Sequence, residues 1–195
     1  MLKQSDPDAM RQRLAAKYPK IFDQGRGATL PEPGWYYIID ALCANIQNHI
    51  DTTRKARARA LLGQRAVARL LKGNDRLIRR WMNMPDSVWL NERIEEYRTG
   101  KSVVMPTDDP CPQVVVTQIK EKWGSLRFYY YGGDSAVANF VTMAESMSSR
   151  TCGNCGAVGF ISTGGWMQAR CAPCRLGFTQ TVPFYPDEQE TENDS

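Results

Sequence analysis

Apolar positions along this chain follow two periods, and the change from one to the other outlines the fold. From Trp35 to Ile50 they recur at Trp35, Ile38, Ile39, Leu42, Cys43, Ile46 and Ile50. That is the 3.6-residue spacing of one helix face, and it predicts a core helix over 35–50. Leu14 and Tyr18 line one side of a shorter helix. Asp6-Pro7 opens it, with a capping acid and a proline suited to the first turn, and Pro19 stops it. Val137, Phe140, Val141, Ala144 and Met147 predict a third helix, from an Asp134 cap to about Ser149. Between these segments the period drops to two. Val114 to Ile119 is β-branched and reads as a strand. A returning strand places Leu126, Phe128 and Tyr130 on one face and Arg127, Tyr129 and Tyr131 on the other. Lys120 to Gly124 is the expected turn, and Gly132-Gly133 ends the hairpin. Residues 23–34, with three Gly and two Pro, read as a loop.

The pattern is different over 51–102. Ala, Leu and Arg dominate there, and helix formers are dense. Four short helices are expected, near 53–62, 64–72, 75–83 and 86–98. Gly63, Gly73-Asn74 and Pro85 separate them, and Gly100 ends the last. The predicted fold class is α+β: helices packed on a β-hairpin, a four-cysteine zinc module, and an inserted helical subdomain. Residues 1–50 and 103–180 form the body, 51–102 the insert, and 184–195 an acidic tail expected to be disordered.

Cysteine spacing introduces the first candidate chemistry. Cys152 and Cys155 are followed, after fifteen residues, by Cys171 and Cys174. Two CxxC turns at this separation can bring four thiolates to one tetrahedral ion, the pattern of a structural zinc site. Gly153 and Gly156 stand where a ligand turn bends sharply. Two disulfides in a secreted domain would be the other reading. The polar opening MLKQSDPDAM has no secretory pattern, so the expectation is a cytoplasmic protein with a closed, structural zinc. Trp166, between the two pairs, is expected to pack on the body. Cys43 and Cys111 read as buried or idle thiols.

Catalytic constellations are missing from the sequence. His49 is the only histidine, and near the end of the core helix it reads as a surface or satisfied side chain. There is no Ser/His/Asp set, phosphate loop or dinucleotide turn, and Glu95-Glu96 and Asp108-Asp109 read as surface charge. The expectation is no enzyme.

The net charge of +4 is unevenly distributed. Arg54 to Arg80 holds ten Lys/Arg against the single acid Asp75, while Asp187 to Ser195 holds five acids and no base. Such a block points to a polyanion or an acidic partner, or else is a solvated helix face. Residues 64–81 resemble the helix-turn-helix of phage repressors. Ala68 stands at the helix contact, and Val67, Leu71, Ile78 and Trp81 fill the apolar places. Lys72 stands where that family usually has Gly, and Gly73 where it has an apolar residue. The resemblance implies nucleic-acid contacts from Gln64, Arg65, Asn74, Arg76, Arg79 and Arg80, with duplex DNA as partner.

A broader resemblance covers most of residues 10–175. It rests on Lys17-Tyr-Pro-Lys-Ile-Phe22, Gly34-Trp35, Ile39-Asp40, Leu42-Cys43, Gln118 to Tyr129, Met143-Ala-Glu-Ser146, Gly165-Trp166 and the four cysteines. Together these look like a family of small, uncharacterised proteins of tailed phages and prophages. The resemblance implies phage origin and action in the bacterial cytoplasm, and brings no activity with it. The leading expectation is a non-enzymatic zinc-binding accessory protein that binds nucleic acid through the basic insert, plausibly as a regulator. The alternative is a protein-binding inhibitor of a host or anti-phage defence factor.

Overall fold

The computed structural model describes residues 7–22, 30–71, 80, 88, 91, 92, 95, 99, 109–162 and 165–177. The chain divides into two compact units, Met1–Ile50 with Pro112–Ser195, and Asp51–Cys111. The expected insert ended at 102; this second unit runs on to Cys111. The architecture is α+β, with helices and a small antiparallel hairpin.

In the first unit, α1 (Pro7–Lys17) buries Met10 and Leu14, and Tyr18 just beyond its end. The Lys17 Nζ lies 3.1 Å from Asp40, and the Tyr18 hydroxyl donates to the same carboxylate at 2.8 Å. Both tie α1 to the next helix. A 3-10 turn (Pro33–Trp35) precedes α2 (Tyr36–Leu71), so Trp35 enters as the last residue of that turn and not as a residue of α2. Trp35, Ile39, Leu42, Cys43, Ile46 and Ile50 are buried, as the 3.6-residue stripe predicts. Cys111, the last residue of the second unit, is buried as well.

The hairpin pairs β1 (Val115–Lys122) with β2 (Ser125–Tyr131), with an irregularity between Val116 and Gln118. Its turn is tighter than expected. Lys122 pairs with Ser125, so the strand continues through Lys120–Lys122 and only Trp123-Gly124 forms the loop. Both loop residues have positive φ, 56° and 77°. That is the two-residue turn whose twist suits a right-handed hairpin. Leu126 and Phe128 face the core while Tyr129 and Tyr131 face solvent, as period two requires.

Both hairpin edges have partners. Helix α3 (Ser135–Ser148) covers the β2 edge: the Leu126 N–H donates to Ser148 Oγ at 2.8 Å, and the Phe128 N–H to Glu145 at 3.0 Å. On the β1 side the Val116 N–H donates to the Ile21 carbonyl at 2.8 Å. Unpaired strand amides are thereby satisfied inside the unit. Asp134 caps α3 as predicted, accepting from the amides of Ala136 and Val137. One position of the predicted α3 stripe differs. Met147 is exposed, and Ser148 takes the buried place because its hydroxyl serves the β2 edge.

In the second unit the predicted break at Gly63 is absent: α2 is one helix of 36 residues that passes through it. Gly in a helix interior costs roughly 1 kcal/mol relative to Ala, and a flanking run of strong helix formers offsets that. The predicted first helix of the repressor-like motif, 64–72, is therefore the end of a long helix. Gly73-Asn74 and Pro85 lie outside the described residues, as does the tail 184–195.

Candidate metal centre

Two local turns and a short hairpin assemble the cysteines. After α3, Thr151 bridges to Val158, and the Cys152 N–H donates to the Ala157 carbonyl at 2.7 Å. Gly156, at φ 76°, closes the first ligand turn with its N–H on the Cys152 carbonyl. Strands β3 (Phe160–Ile161) and β4 (Ala169–Arg170) then bring the chain back. The Gly153 N–H donates to the Ala169 carbonyl at 3.0 Å, seating the first turn against β4. Cys171 follows at once, and Cys174 lies in the short helix α4 (Ala172–Arg175).

All four Sγ atoms lie within 4.8 Å of one another. Cys155 and Cys171 are 3.6 Å apart. A disulfide would require about 2.05 Å. Four sulfurs on a tetrahedral ion, each at about 2.3 Å, are about 3.8 Å apart along an edge. The cluster thus has the size of a four-thiolate metal site and can hold a metal ion. Cys152, Cys155 and Cys171 are buried and Cys174 partly so.

The thiols are electrostatically unequal. Burial raises the Cys152 pKa, but the amides of Cys171, Cys155 and Asn154 outweigh it and bring it down to about 7. Burial and the neighbouring cysteines push Cys155 up to about 12, against the lowering effect of the Ala157 amide. Asn154 Nδ2 approaches Cys174 Sγ at 3.8 Å. Four adjacent thiols do not all ionise unaided, whereas a divalent cation removes that repulsion.

Contacts remote in sequence anchor the cluster to the body. The Gly34 N–H donates to the Gly153 carbonyl at 2.7 Å, and a Cβ at Gly34 would collide with the Cys152 carbonyl oxygen. Trp35 Nε1 donates to the Thr151 carbonyl at 3.0 Å. Arg170 meets Glu32 at 2.9 Å in a mostly buried ion pair. The sequence reading missed this pair, because nothing local links residues 138 positions apart. His49 is satisfied, with Nε2 2.8 Å from Asp134 Oδ2.

Trp166 is corrected by the structure. It is 76% exposed and does not pack on the body. Ala169 of β4, in contrast, is buried and pairs with Ile161. Of the expected nucleic-acid residues, Gln64 and Arg65 lie on α2, and Arg80 is helical and exposed. Asn74, Arg76 and Arg79 lie outside the described residues. Arg54, the first cation of the basic block, is engaged by Asp109 at 2.6 Å.

Comparison with known proteins returned nothing to set beside this site: no family model, no curated protein and no solved structure matches the chain. What the chain defines by itself is an α+β protein with a four-cysteine cluster able to hold a metal ion.

Proposed function

We propose that this is a zinc-stapled, non-enzymatic phage accessory protein that binds nucleic acid through its basic helical stretch. The observation that carries the reading is the continuity of α2 through Asp51–Leu71. It turns a run of Arg and Lys into one cationic rod, with Lys55 exposed on it. Such a rod favours phosphate backbones over any one base sequence. Zinc is the metal of choice because four thiolates in a closed tetrahedral set suit a borderline-soft ion with no vacant position. The phage setting is supported by the motif resemblance alone.

The test is fluorescence anisotropy with random-sequence duplex DNA across a salt series. Micromolar affinity that falls steeply with salt, and weakens with Arg79→Ala plus Arg80→Ala, supports the reading. Binding absent at physiological salt, or indifferent to salt, contradicts it.

A second reading, inhibition of a host or defence protein, has one observation in its favour. An apolar groove runs between α2 and α3, lined by Ile38, Leu42, Phe140, Met143 and Met147. Methionine-rich grooves adapt to protein partners.

A further inference from the structure

The outer face of the hairpin and the metal module together carry a surface that the basic helix does not explain. Trp123 occupies the first position of the hairpin turn with φ 56°. Asn, Asp or Gly normally fills that place, and a bulky side chain there is strained. The strain has no packing return, since Trp123 is 66% exposed. Costly backbone conformations that bury nothing are an indication of function.

The metal module brings a second indole to the same cleft. The Gly124 position lies against Ile161 of β3, so close that a Cβ there would be 3.1 Å from two of its side-chain atoms. The turn is thus held beside the β3–β4 hairpin. A cleft of about 440 Å³ opens between them, lined by Glu121, Lys122, Trp123, Gly165, Trp166 and Met167. Trp123 and Trp166 are both on this wall, and the cluster of cysteines fixes the base of the hairpin that presents Trp166.

Cations interleave with these rings. Lys122 Nζ lies 4.5 Å from the centre of the Trp123 ring, and Lys120 Nζ 4.8 Å from that of Tyr129. Tyr129 and Tyr131 continue the exposed aromatic row along β2. Two acids beside the hairpin are held in place by backbone amides. Glu121 accepts the Gly124 N–H, and Glu145 accepts the Phe128 N–H and pairs with Arg127 at 3.4 Å. A row of exposed aromatic rings, two of them with a lysine ammonium over one face, complements unpaired bases on an anionic backbone.

We propose that the Trp123–Trp166 cleft and the adjoining β2 face bind single-stranded nucleic acid, bases stacking on the indoles and Tyr129 while Lys120 and Lys122 meet the phosphates. The residues of this surface belong to the first unit and the basic stretch to the second, so the proposal does not rest on the duplex-binding reading.

The experiment is anisotropy with a fluorescein-labelled oligothymidylate, run beside the same duplex on the full chain. The wild type is expected to bind the oligothymidylate and to lose intrinsic tryptophan fluorescence as it does. Trp123→Ala and Trp166→Ala are each expected to weaken it by on the order of tenfold. Trp166→Phe, which keeps a stacking ring, should recover most of the loss. Duplex binding and metal content should not change in any of the three, which separates a lost surface from a lost fold. Conversely, Arg79→Ala with Arg80→Ala should leave oligothymidylate binding intact. No binding by the wild type would overturn the proposal. Undiminished binding by either alanine variant would overturn it equally.

Discussion

Gly34 shows how much of the metal centre depends on atoms far from the cysteines. Its amide holds the Gly153 carbonyl, and its missing Cβ leaves room for the Cys152 carbonyl. Gly34→Ala must displace one backbone from another. It is expected to destabilise the first unit by about 1–3 kcal/mol, the usual range for overpacking. Urea denaturation checks the stability, and a zinc-indicator competition checks that the ion is lost more easily. Asp134 is a second sensitive residue. Burial would raise its pKa, but the His49 hydrogen bond and the amides of Val137 and Ala136 hold it below the ordinary carboxylate value. In acid the unfolded chain then takes up this proton before the folded one does. The contribution is complete above the unfolded value near pH 4 and disappears as pH falls through the lower folded value. Asp134→Ala should cost about 1 kcal/mol at neutral pH, as loss of a helix cap does, and should flatten the acid limb of a stability–pH profile.

At the scale of elements, the sequence is most legible where one period persists. The stripe from Ile39 to Ile50 and the alternation from Leu126 to Tyr131 both reappear as buried faces. Local rules failed where two of them competed. Gly63 looked like a break because glycine is a poor helix former, yet the Ala/Leu/Arg residues around it sustain α2. Replacing it tests that directly. Gly63→Ala should stabilise the protein by about 0.5–1 kcal/mol if the helix is continuous, whereas Ala at a positive-φ turn would destabilise it. Thermal unfolding monitored by circular dichroism distinguishes the two. The hairpin turn is shorter than the sequence suggests for a related reason. Trp-Gly is not a familiar turn pair, and only the Lys122–Ser125 pairing shows that two residues suffice. Trp166 misled in the opposite direction, since a large apolar side chain invites a buried assignment and here stays open to solvent.

Over the whole molecule, the CxxC spacing foretold which four side chains would meet, because both turns are local and need only one hairpin to join them. It did not foretell the supports. Trp35 to Thr151 and Glu32 to Arg170 are contacts between distant segments that no pattern along the chain connects. They make the centre part of the first unit's core and not an appendage. Chelation of the metal is therefore expected to loosen residues 150–175 and the Pro33–Trp35 turn together, seen as faster amide exchange in both segments. The second unit, Asp51–Cys111, contains no part of the cluster and should exchange as before.

The four-cysteine cluster can hold a metal ion, and we propose that Cys152, Cys155, Cys171 and Cys174 hold one structural zinc. Elemental analysis of the purified full chain, beside Cys171→Ser, tests it most directly. One zinc per chain is expected in the wild type, and in Cys171→Ser a lower content with residues 150–175 destabilised. A wild type in which metal analysis finds no zinc would contradict it.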